Sequence, residues 1–421
     1  MNAREAAFSA LTAVLRDGAY TALALKKHIP NNFSTEDRHF VSKLLRTTLE
    51  NLIRIDFALE GFIKTSRVHG SVRNILRLGA CQLLFMDTQS YAAVSESVAL
   101  AKKVKPQTAG FVNAVLRNLE RGKDSIAYPK GETPQALSIL SSYPLWICEK
   151  YIKDFGGDFA KELLMHKAPE TTSVRMNPLK TNTADFLSAL ERLAIKCEPG
   201  NVPDAYAVSG LSDIENLELF TNGSLAVQSE SAMRAVRAIE LHKGIKLLDC
   251  CAAPGGKSAY AAALTQNDIE ITAWDIHEHR VEMTKKNYER LGVAHEQTLL
   301  HDAREFEPSL EGCFDVVLVD APCSAMGLMA HHPDIRYTRR IEDIASLCAL
   351  QRDILSVCAR YVKAGGKLAY MTCSINKEEN EEITEAFLAS ADGFEYEKPP
   401  QTLYPHLSGS DGFFFSIMRK K

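Results

Sequence analysis

Two cysteines fifty residues apart, Cys323 and Cys373, each close an apolar run, in FDVVLVDAPCS (314–324) and KLAYMTCS (367–374). An apolar run of that length ending in a turn reads as a central parallel strand. Open α/β sheets bind their ligands just beyond the carboxyl ends of such strands. A thiolate delivered there is a strong nucleophile and, at a thiol pKa of about 8.5, also a competent leaving group. That pairing of properties suits covalent attack on an electrophilic ring. A carboxylate, Asp320, stands three residues before the first thiol. Taken alone, a cysteine on an apolar run is more often a small core hydrophobe, so the weight falls on the loop upstream.

The elements that must position these residues start at IKLLDCCAAPGGKSAYAAALT (245–265), which reads as strand, tight loop and helix. Gly255 and Gly256 permit a close backbone approach, and a helix start offers free N–H groups to an anion. The ending Gly256-Lys257-Ser258 evokes a phosphate-cradling loop, but that pattern needs glycine where Cys251 stands, which excludes a nucleoside triphosphatase. Acids follow at the ends of successive strand-like runs: Asp249, Asp275 (run 269–275), Asp302 (run 298–302) and Asp320. One such Asp is commonly a helix cap; four around one glycine loop point to a binding site. Asp275 lies nineteen residues after Gly256, near the spacing at which an acid grips ribose hydroxyls. The pattern predicts a site for a nucleoside with a short charged tail.

DCCAAPGGK, VVLVDAPCS and YMTCSINKEENEE resemble the signature strings of the RNA cytosine-5 methyltransferases that use S-adenosylmethionine, and residues 225–421 are similar throughout. The resemblance implies that Cys251, Ala252, Ala253, Pro254, Gly255, Gly256 and Lys257 cradle the methionine end of the cofactor. It further implies that Asp275 holds the ribose, that Arg280 is another cofactor contact, and that Asp302 lies on the adenine side. In the family the cysteine of the TCS string adds to carbon 6 of cytosine, so Cys373 is expected to be the nucleophile and Cys323 to assist release. Asp320, expected to line the junction with the target base at its N3 and N4 edge, would stabilise the charge that develops on addition. The DNA cytosine-5 enzymes are the runner-up; they attack from the Pro-Cys position and lack the TCS cysteine, so the presence of both favours RNA. The target base must leave its stack, which is easier from a single-stranded or loop region.

Other candidates are weaker. His331 and His332 are adjacent, point apart on most backbones and lack ligand-spaced partners, so no metal is expected. The acids among residues 378–382 read as a solvated helix start. Family members often carry arginines just before His332-Pro333-Asp334-Ile335, where this chain has Met329, Ala330 and His331. That departure removes one expected phosphate contact, although Arg336, Arg339 and Arg340 lie close behind.

At 421 residues the chain should hold two or three domains. No run of eighteen apolar residues occurs and the first residues lack a signal peptide's apolar core, so no membrane association and a cytoplasmic location are expected. The ten cysteines show no CxxC pairs, which fits reduced thiols. The formal net charge of −4 hides an asymmetry, because residues 1–124 hold 18 Lys and Arg against 11 Asp and Glu. A basic surplus on one small module suggests a polyanionic partner.

That module reads as all-helical, since Val72, Ile75, Leu76, Gly79, Ala80 and Leu83, and then Val112, Val115, Leu116 and Leu119, recur at helical spacing. Its strings SESVALAKKVK (95–105) and GFVNAVLRNL (110–119) resemble the NusB family of helical RNA-binding domains. Arg4, Lys26, Lys27, Lys102, Lys103 and Lys105 are the expected phosphate contacts. A linker is expected at 125–134, then a small α+β subdomain with connecting helices at 135–224, then a Rossmann-like α/β methyltransferase sheet at 225–421. A NusB-like module joined to such a sheet resembles the RsmB, or Sun, type of bacterial 16S ribosomal RNA methyltransferase. The partner is then 16S ribosomal RNA. Alternatives are a transfer RNA methyltransferase and a non-catalytic RNA-binding or antitermination factor.

Overall fold

The computed structural model describes residues 1–65, 67–210, 214–391 and 393–421, which form two compact units. The first comprises Met1–His166 together with His331–Arg340, and the second Lys167–Ala330 with Ile341–Lys421. No helix among the described residues is long and apolar enough to cross a membrane.

The first unit is helical. Its helices run Ala3–Asp17, Thr21–His28, Thr35–Glu50, Leu52–Glu60, Gly70–Phe85, Ser90–Val104 and Ala109–Gly122, followed by Pro134–Ser141, Leu145–Phe155 and Gly157–Met165. The first helix is fixed at its start by a capping box between Asn2 and Glu5, which satisfies two otherwise orphan N–H groups. All the apolar residues picked out by their spacing at 72–83 and 112–119 are buried. The three helices of 134–165 cluster with this unit, so the compact division falls after His166 and not within 125–134.

The segment His331–Arg340 also belongs to this helical unit although its flanks belong to the other. Asp334 accepts a bond from the Thr21 N–H at 3.2 Å, and the Tyr337 hydroxyl donates to the carbonyls of Leu49 at 2.7 Å and Ser142 at 2.8 Å. Arg336 is 5% exposed, donates to the carbonyls of Glu50 and Ser141 and lies over the Tyr143 ring at 3.9 Å. Its guanidinium is therefore built into the helical unit and does not stand in for the arginine missing before His332.

The second unit holds two sheets. Four antiparallel strands, β1 (Thr172–Met176), β2 (Lys196–Pro199), β3 (Ala205–Ser209) and β4 (Leu225–Val227), lie in the order β2-β3-β1-β4. The larger sheet contains β5 (Ile245–Asp249), β6 (Ile269–Asp275), β7 (Glu296–Leu300), β8 (Phe314–Asp320), β9 (Val362–Thr372), β10 (Phe394–Tyr396), β11 (Gln401–Leu403) and β12 (Phe413–Lys420). Its order is β10-β12-β9-β8-β5-β6-β7, with β11 paired to β12. Strands β5 to β9 are parallel, while β12 runs antiparallel to β9. The Val, Leu and Ile of the central strands β5 and β8 are buried, the pattern of a parallel sheet covered on both faces. The chain steps outward from β5 to β7 and then returns to place β8 beside β5. That reversal makes the ends of β5 and β8 the topological switch point, where a doubly wound Rossmann-like sheet opens its crevice.

Candidate active site

Five strand ends converge at this edge. Asp249 closes β5, Asp275 closes β6 and Asp320 closes β8. Asp302 differs from expectation: β7 is Glu296–Leu300, so Asp302 lies in the loop beyond the strand. The two cysteines follow β8 and β9, and their sulfur atoms stand 3.1 Å apart.

The loop 250–255 begins as β5 leaves the sheet, with the Cys250 N–H donating to the Leu318 carbonyl at 2.9 Å and that of Ala252 to Trp274 at 2.8 Å. Gly255 has φ +86°, and a Cβ there would lie 2.7 Å from the Tyr288 ring and 2.9 Å from the Thr284 methyl. Only glycine both takes that angle and leaves room for those side chains. The helix Gly256–Leu264 starts at the next residue, and a Cβ on Gly256 would meet nothing within 4 Å. The helix start is thus uncrowded beside Gly256, and a helix N-terminus favours an anion such as the carboxylate tail of S-adenosylmethionine.

Lys257 reaches from the first turn of this helix to Asp320, Nζ to Oδ2 at 2.5 Å. Burial pulls the lysine pKa down, but the charge and hydrogen bond of Asp320, with Cys373 beyond, outweigh it and leave the pKa raised. The lysine is therefore a fixed cation beside the second thiol. Asp249 is 1% exposed, and burial pushes its carboxyl up to about 7, with the Asp320 charge adding to the rise. Burial likewise raises the Cys251 thiol well above its ordinary value, followed by the charges of Cys358, Asp249, Asp320 and Asp275.

Asp275 accepts the His277 N–H at 3.1 Å and pairs with Arg280 Nε at 3.4 Å. Arg280 also donates to the Ala253 carbonyl at 3.0 Å, so one guanidinium ties the β6 end to the glycine loop. Asp302 is clasped by Arg304, Nη2 to Oδ2 at 2.6 Å, and the Arg304 hydrogen bond is the main cause of its lowered pKa. Ala252 and Ala253 are each 7% exposed, and the Pro254 carbonyl accepts from Asn287 at 2.8 Å.

Around the cysteines the hydrogen bond between Cys323 and Cys373, then burial, raise the Cys323 thiol well above its ordinary value. Cys323 therefore keeps its proton and can donate it to the other sulfur. The backbone is clamped here as well: the Gly327 N–H donates to the Cys373 carbonyl at 3.0 Å and the Gly412 N–H to the Gly327 carbonyl at 2.9 Å. A Cβ on Gly327 would come within 2.2 Å of the Gly412 carbonyl oxygen, so this crossing needs glycine.

Within 378–382, a helix does start at Glu381 with Glu382 exposed on its first turn, but the reading as solvated is corrected for Glu379 and Asn380. Glu379 and Asn380 are 0% exposed, and the Glu379 carboxylate accepts bonds from Ser324 and Ser374, the residues after the two cysteines. Sequence reasoning passed over Glu379, Gln351 and Asn376 as partners of this site. The signal that could have found it is the repeated Cys-Ser pair, followed five residues after the second serine by an acid.

Comparison with known proteins gives the same picture over nearly the whole chain. Residues 236–419 match the family model for 16S rRNA methyltransferase RsmB/F, and residues 1–121 that for the NusB family. The probable ribosomal RNA small subunit methyltransferase B of Bacillus subtilis (strain 168) is 33% identical over 99% of this chain and 98% of its own. The ribosomal RNA small subunit methyltransferase B of Vibrio cholerae serotype O1 is 31% identical over 100% of this chain and 98% of its own. The chain belongs to this ribosomal RNA small subunit methyltransferase B family. Among solved structures, that of PH0851 superposes with a TM-score of 0.81 at 25% identity, covering 99% of this chain and 98% of that one. NSun6 from Pyrococcus horikoshii with SFG, at 22% identity and a TM-score of 0.62 over 67% of this chain and 99% of that one, shares the fold of the catalytic part. Family and fold together make the protein an S-adenosylmethionine-dependent RNA methyltransferase, and the glycine loop with its open helix start accommodates that cofactor.

Proposed function

We propose that this methyltransferase modifies carbon 5 of a cytosine in 16S ribosomal RNA through a covalent bond between Cys373 and carbon 6 of that base. The observation that carries the reading is the pair of sulfurs 3.1 Å apart at the ends of β8 and β9, beside the Lys257–Asp320 ion pair. Carbon 5 of cytosine is too weakly nucleophilic to take a methyl group unaided. Addition of the Cys373 thiolate to carbon 6 turns the ring into an enamine whose carbon 5 is nucleophilic. Residues 251–257, Asp275, Arg280 and Asp302 would hold S-adenosylmethionine, which would supply an electrophilic methyl group for carbon 5. Lys257, held by Asp320, offsets the negative charge that addition places on the ring, and Asp320 accepts from the 4-amino edge of the base, the kind of preorganised contribution that is usually the largest single term in catalysis. Loss of the carbon 5 proton to solvent water and expulsion of the Cys373 thiolate restore the aromatic ring. Cys323, which keeps its proton, assists that expulsion from 3.1 Å away.

We assign the basic helical module, residues 1–124, to holding the RNA. Lys26, Lys27 and Lys102 are exposed on it, whereas Arg4 is engaged with Gln82 and stacked over Phe40 and Lys103 pairs with Glu5. The experiment is a mass-spectrometric map of small-subunit and transfer RNA after incubation with the protein and S-adenosylmethionine. A single 5-methylcytosine in 16S RNA is expected; a methyl found only on transfer RNA, or at a ring nitrogen, would end this reading.

A further inference from the structure

The buried acid in the YMTCSINKEENEE string has no part in the chemistry above, yet it touches both cysteine loops. Glu379 lies at the end of a 3-10 turn, Lys377–Glu379, and is 0% exposed. Five donors converge on its carboxylate. Oε1 accepts from the Ser324 N–H at 2.7 Å and Gln351 Nε2 at 3.2 Å. Oε2 accepts from the Ser324 hydroxyl at 2.5 Å, the Ser374 hydroxyl at 2.6 Å and Asn376 Nδ2 at 2.8 Å. None of the five carries a charge. Burying a carboxylate is costly and is tolerated only where hydrogen bonds replace its lost water.

The donors come from three separate stretches: the loop after β8, the loop after β9 and the helix Ile341–Cys358. Ser324 and Ser374 are each bonded through one peptide to a cysteine, so neither serine can move far without moving a thiol. Their two hydroxyl oxygens lie 3.2 Å apart on the same carboxylate oxygen. A thiol is a weak donor and a weak acceptor, so the contact between the sulfurs cannot by itself hold two loops together. We propose that Glu379 is the positioning residue of the active site, a buried carboxylate that ties the loop of Cys323 to the loop of Cys373 and so sets the distance between the thiols. Its catalytic consequence rests on the covalent role given above to Cys373, but its structural claim does not.

The test therefore reads geometry and catalysis separately in Glu379→Ala, Glu379→Asp and wild type, each full length and checked for folding by thermal unfolding. The rate at which diamide closes the Cys323–Cys373 disulfide reports thiol separation without RNA, and kcat and the KM for S-adenosylmethionine report the reaction. In Glu379→Ala, closure should slow and kcat fall by roughly 10²-fold, the scale of misplacing reacting groups by about an ångström. The cofactor KM should stay unchanged, and Glu379→Asp should recover part of both losses. A folded Glu379→Ala protein that closes the disulfide at the wild-type rate overturns the proposal, whatever happens to methylation. Slowed closure with no change in kcat upholds the positioning role and contradicts the covalent reading instead. Should Glu379→Ala fail to fold, the double variant Ser324→Ala/Ser374→Ala keeps the carboxylate and removes both hydroxyl ties; the same slowing or its absence decides.

Discussion

The two halves of the sheet's carboxyl edge are built on opposite plans. On the side of β8 and β9, the thiols are set by a dry network in which Glu379, Ser324, Ser374, Asn376 and Asn380 are all 2% exposed or less. On the side of β6 and β7, Asp275 and Asp302 are held by Arg280 and Arg304, whose side chains are 41% and 48% exposed. A buried network has few alternative arrangements, whereas an exposed arginine exchanges its carboxylate for water at little cost. The difference matches what each half must do under the proposed function. A covalent step needs two sulfurs fixed to a fraction of an ångström, and a cofactor site must let its ligand in and out at every turnover.

Four substitutions sharpen or break this comparison, beginning with the largest expected effect. Asp249 sits between the halves, its pKa raised from 3.8 to about 7 by burial. A raised acid binds more protons folded than unfolded, so its stabilising contribution is full below about pH 4 and lost as pH climbs through about 7. Asn cannot ionise, so Asp249→Asn should gain stability relative to wild type over that window, by up to about 4 kcal/mol at about 1.36 kcal/mol per unit. Urea unfolding at both ends of the window checks this, and a difference that does not change with pH refutes it. Lys257→Met deletes the cation 2.5 Å from Asp320 and should lower kcat by about 10²-fold with the fold retained, a loss typical of one preorganised donor. An unchanged kcat would remove the ion pair from the mechanism.

On the cofactor side the effects should be smaller and appear in binding. Asp275→Asn should raise the KM for S-adenosylmethionine about tenfold, the equivalent of about 1.4 kcal/mol, and leave kcat nearly unchanged. A fall in kcat instead would mean that this half, too, positions the reaction. Arg304→Ala breaks a half-exposed pair and should change stability by less than about 1 kcal/mol; a larger shift in the thermal unfolding midpoint would show that the cofactor half is as tightly built as the other.

Much of the catalytic edge was legible in the sequence because strands of a doubly wound sheet are written as apolar runs and their ends are where ligands bind. The ends of β5, β6 and β8 follow directly from the last apolar residue before Asp249, Asp275 and Asp320. Asp302 misled because β7 is a half-exposed edge strand, Glu296–Leu300, with no long apolar run to mark its end. Glu379 was illegible for a different reason: an acid among acids reads as solvated, and its burial depends on serines that the chain brings from fifty residues apart. Arg336 was missed likewise, since only the folded chain carries His331–Arg340 into the helical unit. Local patterns announce elements; the partners of a buried charge come from tertiary structure alone.

The account turns on which thiol attacks. The most direct measurement is a denaturing gel of wild type, Cys323→Ala and Cys373→Ala after incubation with S-adenosylmethionine and unmodified small-subunit RNA. Attack by Cys373 predicts an inactive Cys373→Ala, with activity down by about 10⁴-fold or more as for other deleted nucleophiles, and a denaturant-resistant RNA adduct that accumulates in Cys323→Ala. An adduct that instead accumulates in Cys373→Ala, or full methylation by both variants, would contradict it.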